Sequence, residues 1–118
     1  MVDFRPQSGH KMLIVERLVR NVARDGIRLV GEVPRGHGEL VDQVRRALTS
    51  VVLNTSEGLN RQAGDRRNLL GVARGSASEA AAGLGLMAAL GLVDGAPVAE
   101  LEGKLDQVRA MLDRLAQR

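Results

Sequence analysis

No cysteine occurs in this sequence, and Phe4 is its only aromatic residue. The first absence excludes a disulfide framework and a thiolate metal site, and it fits a reducing compartment. The second removes the aromatic platforms on which proteins stack single-stranded bases. Histidine is confined to His10 and His37, neither of which shares a helical spacing with a carboxylate that would suit a metal ion. There is no phosphate-cradling glycine loop and no nucleophile elbow. The expectation is a protein that is not an enzyme and holds neither cofactor nor metal. The longest uncharged apolar run, Ala80 to Val93, has fourteen residues, too few to cross a bilayer. The early Asp3, with no small-residue cleavage site after the first apolar run, argues against a secretory signal. A soluble, cytoplasmic protein with no membrane contact is expected.

What the chain has instead is arginine. Fifteen of its seventeen cations are arginine, set against fourteen carboxylates for a net charge of +3. The distribution is uneven: residues 1–37 hold seven basic and four acidic groups, 38–74 six and four, and 75–118 four and six. Arginine suits planar, two-pronged contacts to phosphate or carboxylate, although codon bias also enriches it.

Spacing predicts four helices in a single domain, 1–118. They cover about 8–30, 39–61, 65–92 and 97–117. In the first, Val15, Leu18, Val19, Val22, Leu29 and Val30 fall on one side, and Arg17, Arg20, Arg24 and Arg28 occupy a narrow arc opposite. "VPRGHG" breaks the pattern, with His37 as a turn residue. The second helix keeps its seam with Val41, Val44, Leu48, Val51 and Leu59. After "QAGD", Asp65 is the expected N-cap of the third. "VDGAP" ends the third helix and puts Pro97 in the first turn of the fourth, whose apolar positions alternate by three and four. Nothing alternates with a period of two. The fold class is all-α, an up-down antiparallel four-helix bundle.

Between Ala80 and Val93 the third helix has no polar side chain on any face. A helix apolar all round needs cover all round, so a homo-oligomer that buries part of it is expected. Gly58, Gly71 and Gly75 are candidate close-packing positions, with Gly83 offering a further one. On the second helix, Arg46, Ser50, Asn54, Glu57 and Arg61 share the face opposite the seam. Serine and asparagine are poor mid-helix residues on a solvated face. Glu79 shares an arc with Val72, Leu86 and Leu90, where a carboxylate needs a partner. A polar network of Arg46, Ser50, Asn54 and Glu57 with Ser76 and Glu79, within or between subunits, accounts for both. Glu57 and Arg61 are also spaced as an i,i+4 pair.

"RRALTSVVLNTSEG" followed by "LLGVARGSASEAAAGLGLMAALGLV" resembles the four-helix-bundle family known from open reading frames inside 23S ribosomal RNA intervening sequences. The pattern is carried by Arg46, Ser50, Asn54, Glu57 and Gly58, then by Ala73, Gly75, Ser76 and Glu79. "KMLIVER" and "VPRGHG" are similar to the accessory variability determinant of diversity-generating retroelements. These resemblances imply a ring-shaped homo-oligomer, a pentamer, with a basic surface, and as partners nucleic acid and a reverse transcriptase. The family usually has an aromatic where Leu18 and Leu69–Leu70 stand here, and Ile where this chain has Thr55.

The first functional reading is an accessory protein binding nucleic acid, RNA favoured over DNA. Its belt would comprise Arg17, Arg20, Arg24 and Arg28 together with Arg61, Arg66, Arg67 and Arg74, reading backbone or shape rather than sequence. The alternative is a protein-binding scaffold for a client such as a reverse transcriptase. The same arginines also suit an ordinary solvated face.

Overall fold

The computed structural model describes the backbone from Pro6 to Arg118 and the side chains from Ile14 onward; Phe4, the side chain of His10 and those of Lys11 to Leu13 lie outside the described residues. Four helices follow one another: α1, Pro6–Val30; α2, Gly38–Leu59; α3, Ala63–Ala89; and α4, Gly95–Ala116. No strand occurs among the described residues. Helix α1 packs against α2 and α4, and α3 packs against the same two, so α1 and α3 stand diagonally opposed. The molecule measures 47 × 23 × 23 Å, a rod about as long as α3 at roughly 1.5 Å per residue.

The core runs along the rod axis. Helix α4 supplies Val98, Leu101, Leu105, Val108, Leu112 and Leu115, all buried, at the spacing that the sequence displays. Facing them are Val15, Val19 and Val22 of α1, Val44, Leu48 and Val51 of α2, and Leu70, Leu84 and Met87 of α3. Burying each such side chain favours folding by roughly 1.5–3 kcal/mol. Alanines at 73, 77 and 80 complete the buried face of α3 and let its neighbours approach.

The helix ends refine the expected boundaries. Helix α3 begins two residues early, with Gln62 extended in the N-cap position. Asp65 therefore does not cap it; it sits in the first turn, where its charge still favours the positive end of the helix dipole. The entry is made by Ala63 at φ 48°, a left-handed conformation that a residue with a Cβ rarely adopts. At the other end α3 stops at Ala89 rather than 92. The amide of Leu92 donates to the carbonyl of Met87 at 2.9 Å and that of Gly91 to Ala88 at 3.0 Å, with Gly91 at φ 73°. This is a Schellman cap, which satisfies carbonyls the helix would leave bare. Helix α2 closes at Leu59, where Asn60 and Arg61 donate three residues back. Pro97 stands in the first turn of α4, where its missing N–H has no intrahelical partner to lose.

Of the glycines expected to permit close packing, Gly58 does so inside the chain. A Cβ there would lie 2.7 Å from Leu70 Cδ2. Gly83 is likewise used within the bundle, against Val44. At Gly71 and Gly75 nothing of the same chain lies within 4 Å of where their Cβ atoms would stand. They are exposed on α3 and leave room there for another chain.

Candidate functional site

Arg17, Arg20, Arg24 and Arg28 project from α1 into solvent. Their 3-4-4 spacing keeps them on one side of the helix over about 16 Å of its length. The valines on the opposite side are held in the core, which fixes the rotation of α1 and turns the stripe outward. Two of the four have nearby acids. Arg20 approaches Glu16 at 3.9 Å, and Arg24 Nε donates to Asp25 Oδ1 at 3.0 Å. Such exposed pairs contribute little and exchange readily for another anion. Arg17 and Arg28 have no acidic partner among the described residues.

The other four expected arginines lie elsewhere. Arg61 bonds Glu57 at 3.2 Å, the expected i,i+4 pair, and Arg67 is exposed near the start of α3. Arg66 is half-buried, and its Nε has neither water access nor a hydrogen-bond partner. Arg74 reaches across to α4, where its Nε sits 2.8 Å from Asp113 Oδ1. All four belong to the α2–α3 turn or to α3, the helix diagonal to α1. A single chain therefore does not join the eight arginines into one belt: α1 carries one stripe and the start of α3 with its preceding turn carries a separate group, and in each two of the four arginines pair with an acid.

The outer side of α2 and α3 is the second feature. Ser50 Oγ and Ser76 Oγ are 2.7 Å apart, and the Asn54 amide donates to Ser50 Oγ and to the Ser50 carbonyl, each at 3.0 Å. These three half-buried residues realise part of the expected network. Arg46, Glu57 and Glu79 stand outside it and are exposed; Glu57 turns to Arg61, and Arg46 and Glu79 have no ion partner among the described residues. The arc of Val72, Glu79, Leu86 and Leu90 is open to solvent rather than enclosed, with Val72 45%, Leu86 48% and Leu90 56% exposed. Leu53 of α2, 62% exposed, joins them. Sequence reasoning passed over Leu53, although a leucine among Arg46, Ser50 and Glu57 on a polar arc is a signal. It also passed over Arg109 of α4, which donates to Ser78 of α3 at 3.2 Å and pairs with Asp106.

His37 occupies the N-cap position of α2 and makes no capping bond. Among the described residues no three His, Asp or Glu side chains converge as a metal site would require. A crevice of about 390 Å³ lies between the end of α1 and the start of α4 and mixes Asp25, Glu32, Asp94 and Glu100 with Arg28 and Lys104. No helix of the described residues is long and apolar enough to cross a membrane.

Comparison with known proteins finds a matching family and a similar solved structure. The family described as 23S rRNA-intervening sequence protein matches residues 11–114. In structure the chain is similar to a Bacteroides thetaiotaomicron protein of unknown function from the S23 ribosomal protein family. The TM-score is 0.81 at 18% identity, covering 92% of this chain and 99% of that one, a likeness of fold. No curated protein matches the sequence.

Proposed function

The chain belongs to the 23S rRNA-intervening sequence protein family, and we propose that it is a non-enzymatic, cytoplasmic accessory protein that self-assembles and binds nucleic acid, RNA in preference to DNA. The observation that carries this reading is the α1 stripe: Arg17, Arg20, Arg24 and Arg28 are all exposed on one side of a helix whose other side is locked in the core. Four guanidinium groups along a rigid rod suit a row of phosphates. With no aromatic residue among the described side chains, contact runs to backbone and shape rather than to bases. Self-assembly uses the outer side of α2 and α3, where Leu53, Val72, Leu86 and Leu90 are exposed. Because α1 is diagonal to α3, an assembly closed through α3 leaves every α1 stripe on its outside and repeats it once per subunit. The family resemblance favours a ring of five.

The test is fluorescence anisotropy with a labelled structured RNA, at low and near-physiological salt. The Arg17/Arg20/Arg24/Arg28→Glu variant is measured beside the unmutated chain. Each neutralised phosphate adds roughly 0.7–0.9 to the slope of log affinity against log salt. The expected result is binding that weakens steeply with salt and is lost in the variant. Absence of binding at low salt returns the stripe to an ordinary solvated face and leaves a protein client as the reading to pursue.

A further inference from the structure

We infer that the Ser50–Asn54–Ser76 cluster is a register key, the polar element of the α2–α3 face that admits one alignment with a second copy of this chain and rejects others. The inference rests on the self-assembly reading above and goes on to say what limits the assembly to one form.

The face is ordered along its length. Helices α2 and α3 are aligned side by side at Ser50 and Ser76, whose hydroxyl oxygens are 2.7 Å apart. In one direction come the exposed Leu53 of α2 and Val72 of α3, the latter about 6 Å along α3 from Ser76. In the other direction come Arg46 and Glu79, then Leu86 about 15 Å along and Leu90 beyond it. The polar cluster thus sits between two apolar patches that a partner must cover together.

Two observations point to a second copy as that partner. Arg46 and Glu79 carry opposite charges on the same face, each without an ion partner among the described residues, so a second copy brings an acid for the one and a base for the other. Gly75 and Ala82, both exposed on α3, leave room for a second helix to approach.

The hydrogen bonds supply the selectivity. Asn54 spends its amide group on Ser50, with one bond to the hydroxyl and one to the carbonyl. Its side-chain oxygen has no donor among the described residues. In the free chain water serves it. Covered by a partner leucine, that oxygen would lose its water and gain nothing. Covered by a partner's donor, it would keep a bond. Sliding the partner by a helical turn exchanges the second case for the first, which is how a buried asparagine fixes register in a coiled-coil seam.

The experiment is native mass spectrometry with light scattering over a concentration series, on the full chain and three variants checked for helix content by circular dichroism. The unmutated chain is expected to give one stoichiometry. Leu86→Glu, which alters an exposed residue, is expected to stay folded and lose assembly. Asn54→Leu and Asn54→Ala are expected to stay assembled but to lose the single stoichiometry, with several oligomers coexisting. If either folded cluster variant keeps the single stoichiometry of the unmutated chain, the register key is overturned and self-assembly stands. If the unmutated chain is a monomer, or Leu86→Glu assembles unchanged, the assembly reading itself fails and the key falls with it. Should Asn54→Leu not fold, Asn54→Ala decides, since it removes the same oxygen and adds no bulk.

Discussion

Thr55 is the one polar residue fully buried in the described part of the molecule, and its hydroxyl has no hydrogen-bond partner there. It follows Val51 by one turn on the apolar seam of α2, so its position was readable from spacing alone. A buried, unsatisfied hydroxyl costs roughly 1–3 kcal/mol. Thr55→Val keeps the shape and removes the polar atom, and it should raise stability by about 1–2 kcal/mol. Urea denaturation checks this: the midpoint should rise with the slope unchanged. A fall in the midpoint would mean that the hydroxyl has a partner. Gly58 is the opposite kind of residue, fixed by lack of room; any Cβ there meets Leu70, which explains why a glycine is tolerated within α2.

At the scale of the element, the cap of α3 makes a sharper prediction than its body. Gly91 holds a left-handed conformation to deliver two amides to Ala88 and Met87. Gly91→Ala should cost about 1 kcal/mol and should raise amide exchange at Gly91 and Leu92 before the rest of the helix. Uniform loss of protection along α3 would contradict that account. The same helix shows where sequence patterning reaches its limit. Four helices and the inward seam of α4 were legible because one apolar stripe per helix determines them. The ends of α3 were misplaced because Ala63 enters by an unusual dihedral angle, while Gly91 draws the stop back to Ala89. The outward α1 stripe was equally legible, since exposure on an amphipathic helix follows from rotation alone. Arg74 was not, because its partner Asp113 lies on another helix, and which helices become neighbours is a property of the packed bundle.

Across the whole molecule, the two features of interest point in different directions. The diagonal placement of α1 and α3 lets the cationic stripe and the α2–α3 face serve different contacts without competing. It also keeps the eight arginines, read from the sequence as one belt, on two separate surfaces of a single chain. The close approach of Ser50 to Ser76 has a consequence in redox chemistry. The chain has no cysteine, so Ser50→Cys with Ser76→Cys creates the only thiol pair, at a place where two side-chain oxygens already touch. Oxidation should staple α2 to α3 and, closing a loop of 26 residues, should stabilise the fold by about 3.5 kcal/mol in the chain-entropy picture. The staple would also report on its surroundings. A bond open to solvent in a lone chain is reduced quickly by a small thiol, and one covered by a neighbouring subunit is reduced slowly. Reduction that slows as protein concentration rises would turn assembly through this face into a chemical clock.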